Sequence, residues 1–496
     1  MPGVTLSLAL RVIAGIALIL IAVSGVVGFG LWQHALAGLS PDGVIMDYSW
    51  LILRIMLMAL AAPGLVLVAA QPVRRVVTKW HHSLRRLPTA AFLTYTLGTA
   101  ALLRVAAVLI LPLRLISDFA TYDELARFWI AHGEYTDGTQ ATAYFPPGWP
   151  FLLSRLYLVF GQNPYAGIVA NVVLGVATVY LTWRLVRHIW GEFPARWAAV
   201  IVAILPSEVM FANILGSEGL FTVLFLLALL FLLPRPTSGL KPVALALGGG
   251  VVLGLATLTR TLSFLFPVIL IVPYLIRHGA SLRALVRWAA CVGGLLLVTV
   301  PWMMRNEARV GRATVCTNVG VNLYIGNNPF SGVGYNEPDH RVLFLKSARD
   351  EAHDDSAGWA RGIAYIRARP FAFLVRGTLK TAFFLTCDTD ALLFEIGTAA
   401  AAGAFDRYCR LSLLMEACWM VFLIAGALGV VHFLRLPTWR EAGGVLLLGT
   451  IFYWIAIHFV FFGAGRYHMP IVPIMAAFAG LALVRTADRA EHIPAA

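Results

Sequence analysis

The chain has 496 residues, 59% of them hydrophobic and 13% charged, with a net charge of +13 and a mean hydropathy of +0.80. A soluble globule of this length needs a polar skin that such a composition does not supply, so the chain reads as an all-α polytopic membrane protein. The positive excess falls in short loops between apolar runs, not in a basic stripe interleaved with exposed aromatics, which excludes nucleic acid and points to a bilayer surface.

A membrane span needs about 20 apolar residues. Such runs lie near 8–30, 50–71, 90–114, 165–184, 194–211, 217–234, 243–258, 263–277, 285–302, 410–432, 441–461 and 469–485, about 12 transmembrane helices in all. They divide the chain into four parts. Residues 1–89 hold an N-terminal transmembrane hairpin and a basic loop, and 90–305 a transmembrane core with an external loop at 115–162. Residues 306–409 form a second external region, and 410–496 the C-terminal helices with a short tail. The first run is read as a retained span, although Ala35 and Ala37 in "HALAG" resemble a cleavage site.

Orientation follows from the short loops. "QPVRRVVTKWHHSLRRLP" carries Arg74, Arg75, Lys79, Arg85 and Arg86 and no acid, which makes it cytoplasmic. Counting onward, Arg184, Arg187, Arg196, Arg277, Arg283, Arg287 and Arg435 fall on that same side. Both termini are then cytoplasmic, and the loops at 115–162 and 306–407 face outward, as expected of an inner-membrane protein with an external, periplasmic site.

The first outer loop contains "SDFATYDELARFWIAHGEYTDGTQATAYFPPGWPF", with Asp118, Asp123, Glu124, Glu134 and Asp137 in its first half. Tyr122, Leu125, Ala126, Trp129 and Ile130 share one face at helical spacing, which predicts an amphipathic helix at the interface. Asp118 falls near its N-cap, so capping is the plain reading of that carboxylate. In the second outer region "TNVGVNLYIGNNPFSGVGYNEPDH" reads as loop from its Gly and Asn content. A helical pattern follows at about 345–368, and "PFAFLVRGTLKTAFFL" reads as an interfacial helix with Arg376 and Lys380 on its polar side. The five cysteines form no zinc or CxxC spacing; Cys316, Cys387 and Cys409 share the outer region, where one disulfide has room to form.

Other charges fall at outer span ends: Glu208 and Glu218, Arg260, Arg305, and Arg466 beside Tyr467 and His468. Charges at membrane depth are costly and usually pair or line a cavity. Carboxylates and guanidiniums on one outer face suit a lipid phosphate for the arginines and a carboxylate that activates an acceptor hydroxyl. Glycosyl transfer from a lipid-linked sugar has both needs. The leaving phosphate has a second pKa of about 6, so no general acid is required, unlike the two-carboxylate glycosidases.

"DFATYDELARFWIAHGEY" resembles the first external loop of the GT-C glycosyltransferases, closest to the protein O-mannosyltransferases and the lipid A aminoarabinose transferase. Asp118, Tyr122, Ala126 and Gly133 stand at that loop's spacings. "YFPPGWPF", "SEGLF", "GLATLTR", "PWMMRN", "IGNNPFSGVGY" and "RYHMPIVP" resemble the family's further blocks, in its order, over about residues 90–485. The resemblance implies the GT-C fold, a polyprenyl-phosphate sugar donor and Asp118 as catalytic base, with Asp123 and Glu124 as its rivals. It leaves a glycan, lipid or protein as the acceptor. Tyr122, Tyr144, Glu218, Arg260, Arg305, Arg466, Tyr467 and His468 are the expected substrate-binding residues, the arginines on phosphate and the aromatics on sugar. No metal-ligand spacing is present and no cofactor is expected, but some of the family bind a divalent ion, for which Asp118, Asp123 and Glu218 are the candidate ligands. The chain departs from the family in lacking a sizeable C-terminal soluble domain and in its extra N-terminal hairpin. The alternative is a polytopic transporter of lipid or solute, against which stand the absence of matched broken helices and the outer position of the acids.

Overall fold

The computed structural model of the protein describes residues 73–233, 239–335, 350–396, 404–437 and 441–491. The expected runs at 8–30 and 50–71, and the end of the C-terminal tail, lie outside the described residues. After a helical stretch at 73–86 come α1 (Thr89–Ile110), α2 (Asp118–His132), α3 (Gly148–Phe160), α4 (Pro164–Trp190), α5 (Glu192–Ile204) and the short α6 (Pro206–Met210). There follow α7 (Glu218–Leu232), α8 (Leu240–Thr259), α9 (Pro267–His278) and α10 (Leu282–Val310). Between α10 and the next long apolar helix lie α11 (Val319–Gly326), α12 (Glu351–Ala368), α13 (Pro370–Thr386) and α14 (Asp390–Ile396). α15 (Ala404–Leu434), α16 (Ala442–Val460), a 3₁₀ turn at Gly465–Ile471 and α17 (Val472–Glu491) close the chain. Among the described residues the only β pairing is one bridge between Thr136 and Ala141.

Among the described residues eight helical stretches are long and apolar enough to cross a membrane, and nine if a bent pair counts as one. The protein is therefore an all-α, multi-pass membrane protein. The bent pair is Glu192–Ile204 with Pro206–Asn213, at 58°. Pro206 lacks the amide hydrogen that would continue the ladder. Arg104 of α1, 0% exposed, donates to Val202 O and Ala203 O at 3.2 Å each and satisfies the carbonyls the break leaves open. The run expected at 217–234 is the shorter α7, 15 residues long, so it spans about 22 Å against a hydrocarbon core of about 30 Å. α8 and α10 pack backbone to backbone: a Cβ on Gly250 would lie 2.0 Å from Cys291 O, and one on Gly294 2.2 Å from Leu247 O.

Two expectations for the 306–409 region need correcting. The segment read as loop contains α11, whose Val321, Leu323, Tyr324 and Ile325 are all buried. Its apolar side chains needed a cover that the Gly and Asn content concealed, and Asp355 of α12 supplies an acceptor for the Gly320 amide at 2.5 Å. α13 forms where expected, but Arg376 and Lys380 turn inward, at 6% and 0% exposure, while Phe371, Leu374 and Val375 are its exposed large apolar side chains. Arg376 donates to Asn328 O at 2.7 Å, and Lys380 to Gly326 O at 2.6 Å and Val460 O at 3.2 Å. Carbonyls at helix ends, away from water, need such donors. Cys316 and Cys387 are both buried and not joined to each other, and the side chain of Cys409 lies outside the described residues.

A small apolar cluster of Phe119, Tyr122, Trp149, Phe211, Leu215 and Met469 draws α2, α3, the segment after α6 and the 465–471 turn together. That packing brings the start of α2 to the turn carrying Arg466.

Candidate active site

The five carboxylates in the first half of the 115–162 loop have five different fates. Asp118 opens α2, but the carboxylate does not cap it: Oδ2 accepts from Arg466 Nη2 at 2.7 Å, across 348 residues of sequence. Asp123 accepts from Arg127 Nε at 2.7 Å and from the Tyr157 hydroxyl at 2.6 Å, which ties α2 to itself and to α3. Glu124 is exposed. Glu134 pairs with Arg309 at the end of α10. Asp137 Oδ1 accepts from the Thr139 amide, the Thr139 hydroxyl and the Gln140 amide, each at 2.8 Å, and so builds its own turn. Of the three acids expected as catalytic, Asp118 alone faces the distant arginine.

The residue before Asp118 is unusual. Ser117 has a φ of 51°, and among the described residues it is the only non-glycine with a positive value. A backbone held there costs roughly 1–3 kcal/mol and persists only where the surroundings fix it.

A second ion pair stands beside the first. Glu218, at the start of α7, accepts from Arg260 Nη1 at 2.7 Å, and the same nitrogen lies 3.2 Å from Ser217 Oγ. Tyr467 sits between the pairs: its ring centroid is 5.7 Å from the Arg260 guanidinium and 4.9 Å from that of Arg466, and its hydroxyl lies 3.0 Å from Arg466 Nη2. Tyr122 is buried within electrostatic reach of all four charges, and burial pushes its phenol well above the ordinary value. Four side chains from α2, α7, the α8 end and the 465–471 turn thus converge on two tyrosines. Among the described residues each guanidinium engages its carboxylate through one nitrogen, so further N–H donors remain on both.

Other expected binding residues lie elsewhere. Arg305 donates to Tyr135 O at 2.6 Å, Thr142 O at 2.7 Å and Asn306 Oδ1 at 3.1 Å, and its guanidinium lies over Trp302 at 4.9 Å. It braces the 135–142 loop. Tyr144, half-buried, packs edge-on to Phe145, which in turn meets Tyr122. His468 is 0% exposed, with its two ring nitrogens at 2.9 Å from Phe384 O and Asp388 Oδ1.

Some participants had no sequence signal. Asp390 Oδ2 accepts from the Arg466 amide at 2.9 Å. Burial pushes the Asp388 carboxyl up, against the pull of His468. Glu351 accepts from the Ala143 amide at 2.6 Å and the Thr142 hydroxyl at 2.9 Å, pinning the 115–162 loop to α12; burial raises its carboxyl too.

The residues named for a divalent ion do not fit one. Asp123 is held by Arg127 and Tyr157, while Asp118 and Glu218 each face a guanidinium. No group of three His, Cys, Asp or Glu among the described residues is placed to hold a metal.

Residues 145–304 match the family described as Dolichyl-phosphate-mannose-protein mannosyltransferase, in keeping with the resemblance read from the motifs. That stretch includes Glu218 and Arg260. No curated protein matches the chain. Among solved structures the chain is similar to ArnT from Cupriavidus metallidurans bound to undecaprenyl phosphate, at 14% identity and a TM-score of 0.43, covering 80% of this chain and 78% of that one. It is also similar to the archaeal oligosaccharyltransferase AglB from Archaeoglobus fulgidus in complex with an inhibitory peptide and a dolichol-phosphate, at 16% identity and a TM-score of 0.46. That match covers 84% of this chain and 52% of the other, so the chain spans about half the length of that relative.

Proposed function

We propose that the protein is a membrane glycosyltransferase of the GT-C type, which moves a sugar from a polyprenyl-phosphate donor to an envelope acceptor at the outer face of the cytoplasmic membrane. The observation that carries the reading is the meeting of Asp118 with Arg466 at 2.7 Å, beside the Glu218–Arg260 pair. The family match over residues 145–304 supports it from a separate part of the chain.

In this scheme Arg466 and Arg260 hold the donor phosphate through their remaining N–H groups. The acceptor hydroxyl attacks the anomeric carbon, and its proton passes to the Asp118 carboxylate. The bond from the anomeric carbon to the phosphate oxygen breaks, and the electron pair leaves with polyprenyl phosphate. That anion needs no proton on departure, because its second pKa is about 6. One base and a cationic clamp complete the balance. Tyr122 and Tyr467 supply aromatic surface for the sugar. The acceptor is a lipid, a polysaccharide or a protein, and the sugar a hexose or a pentose.

The test is release of sugar from a synthetic polyprenyl-phosphate hexose or pentose by purified protein in nanodiscs. Turnover with stoichiometric polyprenyl phosphate is the expected result. Intact donor after prolonged incubation with envelope lipid, glycan and protein acceptors would contradict it.

A further inference from the structure

The turn that carries Arg466 is braced from behind by the segment Cys387–Asp390, which the reaction scheme leaves unused. Asp390 Oδ2 accepts from the Arg466 amide at 2.9 Å. Two residues on, His468 meets Asp388 Oδ1 through Nε2 and Phe384 O through Nδ1, both at 2.9 Å. A carbonyl oxygen only accepts, so Nδ1 carries a hydrogen, and one further proton bridges Nε2 and Oδ1. The imidazole also stacks on Trp419, with centroids 3.9 Å apart and planes 11° apart.

The backbones themselves are in contact. A Cβ on Gly465 would lie 2.7 Å from Cys387 O, and one on Gly463 2.4 Å from Lys380 O. Only glycine permits that approach. The turn is therefore registered against the 380–390 segment by two hydrogen-bonded carboxylates and two close backbone contacts, and against α15 by one stacked ring.

We propose that Asp388 and Asp390 are positioning residues for Arg466: they fix the backbone from which its guanidinium reaches Asp118, and so set where a phosphate is held. The proposal rests on the reading of Arg466 as a phosphate ligand. A planar guanidinium recognises a phosphate by direction as well as charge, and small misplacements at a reacting site cost far more than their size suggests. Asp390 acts through an amide, so it needs an acceptor oxygen and not a charge. Asp388 acts through His468, so its effect passes along the same turn.

The experiment measures binding of polyprenyl phosphate to full-length protein in nanodiscs, with melting temperature followed in parallel. Asp390→Ala removes one charged acceptor, and Kd is expected to rise about fivefold or more. Asp390→Asn keeps an acceptor oxygen and should return Kd to within about twofold of wild type. In the Arg466→Ala background, Asp390→Ala should add almost nothing, because the two act as one unit. Asp388→Ala should show the same dependence on Arg466. The proposal is overturned by wild-type affinity in Asp390→Ala, by Asp390→Asn as weak as Asp390→Ala, or by an equal loss in both backgrounds. Absence of binding by the wild type overturns the phosphate reading itself, and this proposal with it.

Discussion

Both ends of the helical bundle carry arginine–carboxylate pairs, and the two are built differently. At the basic end Glu192 is gripped by Arg187 at 2.9 Å and Arg196 at 2.8 Å, partners close by in sequence. Arg196 also donates to Leu84 O, to Leu87 O at 2.8 Å and to Thr89 Oγ1 at 3.2 Å, and lies over the Phe92 ring at 5.0 Å. Its donors are occupied by backbone and neighbours, as in a strut. At the other end the pairs join residues 42 and 348 positions apart, and each arginine keeps donors in reserve. A structural arginine saturates its fork, whereas an arginine that receives an anion keeps part of it open. Arg305, placed with the second group by sequence, belongs with the first by this criterion.

That contrast is sharpest for Arg466. Arg466→Ala should raise donor KM about 10- to 100-fold, the range for hydrogen bonds to a charged group, and Arg466→Lys should recover only part, because the ammonium lacks the fork. Unchanged donor KM in Arg466→Ala would place this arginine with the struts. Arg196→Met should do the opposite. It leaves Glu192 and two carbonyls short of donors and should cost about 3 kcal/mol of stability, seen as a lower melting temperature with unaltered turnover per folded molecule. A turnover defect larger than the folding defect would erase the distinction between the ends.

A third prediction concerns the brace around α13. Burial lowers the Lys380 ammonium to about 7, whereas an unfolded lysine titrates near 10.4. Between those values the unfolded chain binds more protons, so this residue makes stability rise with pH from about 7 to about 10, with no slope below 7. Melting in detergent at several pH values should show a rise of a few degrees, absent in Lys380→Met. A slope that survives in Lys380→Met belongs to another group. The smallest effect is expected at Ser117, where glycine adopts the positive φ without strain. Ser117→Gly should stabilise the protein by about 1 kcal/mol or less, and a clear loss of stability would mean the hydroxyl has a role of its own.

The sequence was most informative where periodicity and spacing acted together. The helix bearing Asp118 and Tyr122, the apolar helices beyond residue 89 other than the shortened α7, and the placement of Glu218, Arg260 and Arg466 at helix ends or turns were legible. Charged residues whose partners are backbone carbonyls were not. Arg104, Arg376 and Lys380 stand in apolar or amphipathic runs, where a lone cation reads as an interfacial anchor, and the carbonyls they satisfy leave no mark in side-chain patterns. Asp388 and Asp390 lie in "CDTD", where α13 gives way to α14, with no period to link Asp390 to a turn 76 residues away. α11 was hidden by its glycines and asparagines, which serve there as close-contact and capping residues: the Asn328 amide donates to Tyr324 O at 2.8 Å. Asp123 and Glu124 were inseparable from Asp118 by composition, and only packing against α3 and the 465–471 turn tells them apart.

The central claim is that Asp118 and not Asp123 takes the acceptor's proton. The direct measurement is sugar transfer from a polyprenyl-phosphate donor by Asp118→Asn and Asp123→Asn, purified in nanodiscs and compared per folded molecule. Asp118→Asn keeps the size of the side chain but removes the group that accepts the proton, so turnover should fall roughly 10²- to 10⁴-fold while donor still binds. Asp123→Asn should lose stability, by about 1–3 kcal/mol from its bonds to Arg127 and Tyr157, and turn over at close to the normal rate. Near-normal turnover in Asp118→Asn, or a larger loss in Asp123→Asn, would contradict the account.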